Sequence, residues 1–187
     1  HPRIREWEDR ATTDPAQVGK WWGAWPTANI GIAAGPSGLV VVDKDTYHAP
    51  ENDGYLTIAD SETVTSLTGG GGEHLIYLHP AGGPPIRNDD KALPAWVNIR
   101  AHGGLFVAPP SLHMSCNRYE WEPGYGPHEH ERAPLPEALR VLLQPGDGEE
   151  RRRATPLPER IAAGGRNNKL TKKEGTMSRR GLGADVM

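Results

Sequence analysis

The stretch on which the fold turns is GLVVVDKD, residues 38–45. Its aliphatic run, Leu39 to Val42, suits a buried strand. It nevertheless ends in Asp43 and Asp45, with only Lys44 between them. On an extended chain, residues two apart project from the same face, so the two carboxylates point together. Such a pair repels unless something positive lies between, and a hard divalent cation such as Mg²⁺ or Mn²⁺ is a natural partner. Taken alone, the D-x-D pattern fits better a strand end emerging into water with Lys44 as its screen.

Working outward, ANIGIAAG (28–35) precedes this strand across the turn Gly35-Pro36-Ser37-Gly38, a pattern that predicts a β-hairpin. Further upstream, TTDPAQVGKWWGAWP (12–26) predicts a helix. Asp14 can cap it, Pro15 suits the first helical position, and Gln17 completes a capping-box spacing. Val18, Trp21, Trp22 and Trp25 give it an apolar face, and Pro26 ends it.

Downstream, residues 46–60 suggest a loop leading to a short helical piece. ETVTSLTGGGGEHLIYLHP (62–80) predicts strand, glycine loop and strand, followed by a Gly/Pro-rich excursion to residue 94. WVNIRAHGGLFVAPPS (96–111) predicts a second strand pair about a Gly103-Gly104 turn, and NRYEWEP (117–123) a short strand. PLPEALRVLLQPG (134–146) predicts an amphipathic helix closed by Pro145-Gly146. Many short strands with few helices imply an α+β fold on mixed or antiparallel sheets.

Length and charge narrow the class. The chain has 187 residues, 36% of them hydrophobic, which suits one domain with an appendage. A mean hydropathy of −0.63 indicates a soluble, polar protein. No stretch approaches the roughly 20 apolar residues of a membrane span, so no membrane partner is expected. The opening HPRIREWEDR is charged and lacks the apolar region of a signal peptide, and a start on His suggests a piece of something longer. One cysteine, Cys116, cannot form an internal disulfide, which points to a cytoplasmic setting. Residues 151–187 carry ten basic and three acidic residues, net +7, whereas residues 1–150 carry net −10. A basic segment behind an acidic body suits either a nucleic-acid contact or a solvated helix surface. The expected boundaries are a body over 1–146, a linker over 147–160, and the start of a basic helical segment over 161–187.

Three further motifs carry candidate chemistry. Thr68-Gly-Gly-Gly-Gly-Glu-His74 would let backbone amides, those of Gly71 and Gly72 included, approach an anionic oxygen beside His74. A mobile hairpin loop with an incidental histidine reads the same. In Val97-Asn98-Ile99-Arg100, Val97 and Ile99 would face the core, leaving Asn98 and Arg100 on the other face, where Arg100 could bind phosphate. Pro109-Pro110-Ser111 is a stiff turn that would present Ser111 and His113, or serve only as a rigid corner. Cys116, His113, His128 and His130 lie close in sequence but lack a paired zinc spacing, so zinc is not expected.

NIGIAAG, VVVDKD, TGGGGEH, VNIRAHGGLFVAPPSLH and NRYEW, in that order, resemble the N-terminal domain of bifunctional DNA primase/polymerases. This is the Prim-Pol branch of the archaeo-eukaryotic primase superfamily. The resemblance runs from residue 1 to about residue 145, and IAAGGRNNKLTKKEGTMSRRG is similar to the segment where a helical C-terminal primase domain often begins. It implies a primase-polymerase architecture with an RRM-like catalytic core. It further implies two-metal nucleotidyl transfer, with Asp43 and Asp45 binding Mg²⁺ or Mn²⁺ and His74 binding the phosphates of an incoming nucleotide. Gly71, Gly72, Arg100, Ser111 and His113 would complete the nucleotide site. The implied partners are (d)NTPs, a single-stranded DNA template, and a helicase or C-terminal primase domain. Arg166, Lys169, Lys172, Lys173, Arg179 and Arg180 would face the nucleic acid. The implied setting is the cytoplasm, that of a host if the chain is phage- or plasmid-encoded.

The sequence departs from the family pattern at the third acidic position, where it has Asn98. Asparagine is isosteric with aspartate but neutral, so the cation activating a primer 3′-OH would lose an anionic ligand. A site altered to stop catalysis and a natural variant of weakened activity both stay open. Cys116 stands where the family commonly has glycine. The alternative from another class is a non-catalytic nucleic-acid-binding module of replication initiation with a retired active site. A small metal-dependent hydrolase using Asp43, Asp45 and His74 is a third, against which the glycine loop and the order of motifs argue.

Overall fold

The computed structural model describes residues 2–45, 62–88 and 93–144. The chain runs α1 (Trp7–Arg10), α2 (Pro15–Ala24), β1 (Ile30–Ala33), β2 (Leu39–Lys44), β3 (Val64–Leu67), β4 (Glu73–Leu78), β5 (Val97–Arg100), β6 (Leu105–Ala108), β7 (Glu120–Trp121) and α3 (Glu137–Leu143). The fold is α+β, as expected, and its strands form two antiparallel sheets. One has five strands in the order β5-β2-β4-β3-β7; the other holds only β1 and β6.

The LVVV run takes the centre of the five-stranded sheet, paired with β4 on one side and β5 on the other. A strand buried on both faces needs apolar residues without alternation, and Leu39 to Val42 supply them. Val40 and Val42 pack with Leu75, Tyr77, Val97 and Ile99 against Trp96, Ile86 and Leu139 of α3. Leu39 and Val41, on the other face, pack with Ile76 and Val64 against Phe106 and Ala108 of β6. The five-stranded sheet therefore lies between α3 and the small sheet.

Two expected hairpins are corrected. β1 does not pair with β2, nor β5 with β6; β1 pairs with β6, while β5 pairs with β2. Both connections instead carry the chain from one sheet to the other at stacked corners. Ala33 and Ala34 are buried in succession, which a chain enclosed on all sides requires. The Ala34 amide donates to the Gly104 carbonyl at 3.0 Å. Gly35 lies against the second corner so closely that a Cβ there would come within 2.9 Å of His102 Cα. Turn chemistry specified bends at both places, but which strand each bend delivers to which sheet is a long-range matter.

The remaining elements follow their local signals. β3 and β4 form the expected hairpin across the glycine loop. Asp14 caps α2 by accepting from the Ala16 amide at 3.0 Å, with Pro15 next to it. The apolar face of α2 has no fully buried residue among those described. The loop and helical piece expected within 46–60 lie outside the described residues, as do the linker and the basic segment. Among the described residues no helix is long and apolar enough to cross a membrane.

Candidate active site

The strand register places the candidate residues. Asp43 on β2 lies directly opposite His74 on β4 and directly opposite Asn98 on β5. His74 in turn opposes Ser66 on β3, which opposes Trp121 on β7. Directly opposed residues share a face, so Asn98, Asp43, His74, Ser66 and Trp121 form one transverse row across the sheet. The row lies one step beyond the apolar set Val41, Ile76 and Val64, on the side facing β6.

Lys44 does not share the face of Asp43. Alternation sends Lys44 to the opposite face, where it is 1% exposed. Asp43 is compensated from its flanking strands instead: Arg100 Nη2 donates to its Oδ2 at 3.0 Å, and His74 Nε2 lies 3.5 Å from its Oδ1. Burial pushes the Asp43 carboxyl up, but the hydrogen bond from His74 and the Arg100 guanidinium outweigh it and hold the group below its ordinary value. Asp45 follows at the strand end, half-buried, its amide donating to the Trp96 carbonyl at 2.8 Å.

The glycine run packs closely against protein neighbours. The Gly71 amide donates to the Thr68 carbonyl at 3.1 Å and the Gly72 amide to Thr68 Oγ1 at 2.9 Å, so both are committed within the turn. A Cβ on Gly72 would strike the Lys44 carbonyl oxygen, and one on Gly69 would strike His113. The glycines thus permit close approach to protein backbone. The Gly69 carbonyl accepts from Ser115 Oγ at 2.7 Å and from Asn117 Nδ2 at 3.1 Å, which fastens the loop to residues 113–117.

Ser111 is buried, and its hydroxyl accepts from the Ile30 amide at 2.9 Å. His113 is half-buried against the glycine loop, with Nδ1 accepting from the Ser115 amide at 3.1 Å. Arg166, Lys169, Lys172, Lys173, Arg179 and Arg180 lie outside the described residues.

Two residues of the site were not among the sequence candidates. Tyr119 packs its ring 5.9 Å from that of His74 and 5.8 Å from that of His113. Burial first, then the charge of Asp43, raises its hydroxyl pKa. Its only signal in sequence is the i, i+2 spacing with Trp121 in the RYEW segment. Ser66 had no signal beyond its strand.

Residues 1–138 match the family described as bifunctional DNA primase/polymerase, N-terminal. The chain belongs to this family. No curated protein matches it. The Prim-Pol assignment turns the polar row into a testable donor set. A carboxylate and an amide oxygen adjoin at Asp43 and Asn98, and a second carboxylate follows at Asp45, all hard oxygen donors of the kind Mg²⁺ and Mn²⁺ take. Among the described residues no three His, Cys, Asp or Glu side chains gather into a cage. Mg²⁺ is commonly held by one or two carboxylates together with substrate phosphates. The donor set fits in kind, and it carries one negative charge fewer for having Asn98.

Proposed function

We propose that this Prim-Pol chain is a DNA-directed nucleotidyltransferase, joining a (d)NTP to a primer or initiating nucleotide on a single-stranded DNA template. The observation that carries the reading is the row Asn98–Asp43–His74, with Arg100 closing on Asp43. It sets an anionic centre between two groups able to turn to phosphate.

Asp43, Asp45 and Asn98 would hold the cation. Bound Mg²⁺ or Mn²⁺ would supply activation of the attacking 3′-OH and neutralisation of the triphosphate and departing pyrophosphate. Arg100 and His74 compensate Asp43, and with a cation held at Asp43 both side chains would be available to phosphate oxygens. Arg100 suits this exchange, since a guanidinium binds carboxylate and phosphate with the same fork of donors. Tyr119 walls the site beside His74. The His113–Asn117 loop fixes the glycine turn, so His74 starts its strand from a rigid place. Positioning and electrostatics therefore carry the reaction, with little covalent work for the protein.

Isothermal calorimetry with Mn²⁺ and a nucleoside triphosphate tests this directly. Asp43→Ala should abolish metal-dependent binding, and unchanged affinity would remove Asp43 from the metal site. A second reading rests on Asn98: a neutral side chain at the third acidic position favours a module that binds nucleotide and DNA without extending primers. The basic residues 166–180 and a helicase or C-terminal primase domain belong to the proposal as template and protein partners.

A further inference from the structure

Among the described residues, two buried side-chain polar atoms lack a hydrogen-bond partner: Ser66 Oγ and His74 Nδ1. They belong to residues directly opposed across the β3–β4 ladder. Ser66 is 0% exposed and His74 5%, so bulk water serves neither. Opposed residues carry their Cβ atoms about 4.5–5.5 Å apart, within reach of each other directly or through one buried water. Two such orphans side by side are unusual, because an unmade buried hydrogen bond is costly.

The other ring nitrogen shows which hydrogen bond is missing. Nε2 faces the Asp43 carboxylate at 3.5 Å, so it is the nitrogen that carries the proton. Nδ1 of a neutral imidazole is then a lone pair in need of a donor. Phe106, edge-on to the ring at a centroid distance of 5.8 Å, has none to offer. The Ser66 hydroxyl does.

We propose that Ser66 is the positioning residue of His74. Its hydroxyl, through one buried water or by rotating about its own Cα–Cβ bond, donates to Nδ1 and holds the ring as the Nε2–H tautomer, with that N–H aimed into the site. A serine hydroxyl both donates and accepts, and alanine, valine or cysteine at this place would offer no comparable donor. The consequence for nucleotide binding rests on the reading of His74 as a phosphate ligand; the tautomer itself does not.

The test uses the full chain with ¹⁵N-labelled histidine and long-range ¹H–¹⁵N correlation at one neutral pH, without nucleotide, His74 being assigned by His74→Gln. The His74 signals should report a dominant Nε2–H tautomer. In Ser66→Ala that dominance should be lost, and the Kd for Mg²⁺-loaded triphosphate should rise roughly 3- to 10-fold, the worth of one hydrogen bond. Ser66→Thr keeps the hydroxyl and should restore both. Unchanged His74 ring signals in Ser66→Ala would overturn the inference, whatever happens to stability. Altered signals with an unchanged triphosphate Kd would leave Ser66 as the positioning residue and remove His74 from the phosphate site. Should Ser66→Ala fail to fold, Ser66→Cys gives the same comparison with a much weaker donor.

Discussion

Replacing Asn98 with aspartate probes the site most sharply, because it puts a second carboxylate directly opposite Asp43 on the β2–β5 ladder. Opposed Cβ atoms lie about 5 Å apart. Two unit charges at about 5 Å and an effective dielectric constant of about 20 repel by roughly 3 kcal/mol. Arg100 already holds Asp43 at 3.0 Å and offsets part of this, and half-buried side chains can splay. A net loss on the order of 1–2 kcal/mol remains in chelator, a fall in Tm of roughly 3–8 °C for a domain of this size. Mn²⁺ should reverse the order, because a cation between two carboxylates stabilises the state that binds it. Primer extension should rise with the same substitution by at least about 10²–10³-fold, the usual effect of one preorganised electrostatic group. The checks are thermal unfolding in EDTA and in Mn²⁺, and extension of a labelled primer by both forms. An unchanged Tm in EDTA would show that the two side chains do not face each other. Equal extension rates would show that position 98 is not the third metal ligand.

Acid titration offers a second check. A carboxyl held below its ordinary value in the fold contributes stability that is present above its unfolded pKa, about 3.9, and is lost as pH falls through the folded value. Urea midpoints of Asp43→Asn should therefore fall less steeply with acidification than those of the unsubstituted chain, and matching acid limbs would contradict the shift. Cys116 is exposed and adopts φ 68°, a left-handed conformation that suits glycine. Cys116→Gly should raise stability by about 0.5–1 kcal/mol in urea unfolding, since no packing is lost and the backbone penalty goes; a lower midpoint would refute this. Removing residues 151–187 should weaken single-stranded DNA binding and reduce its salt slope by roughly 0.7 per lost phosphate contact. Identical slopes would return that segment to a solvated surface.

What was legible in the sequence was whatever local chemistry decides. The Asp14-Pro15 start placed α2, the TSLTGGGGEH pattern placed the β3–β4 hairpin, and the family motifs placed Asp43, His74, Asn98 and Arg100 in one order. The i, i+2 rule put Asp43 on the face opposite Val42, and Asn98 and Arg100 on the face opposite Ile99, and the register agrees. Strand partnership was not legible, because a Gly-rich bend carries the same residues whether it closes a hairpin or carries the chain to a second sheet. Both misread hairpins, at residues 34–38 and 101–104, failed for that reason. Nor could the chain order show what compensates Asp43. The nearest positive charge in sequence, Lys44, is turned away by the period of the strand, while His74 and Arg100 reach it across hydrogen-bonded neighbours 31 and 57 residues on. Ser66 joined the site through the same ladder, and Tyr119 from the segment just before β7, its amide bonded to the Ser111 carbonyl at 2.8 Å. A strand's own residues determine which face each side chain takes; only the pairing of strands decides which side chains from distant segments share that face, and the site is made of those.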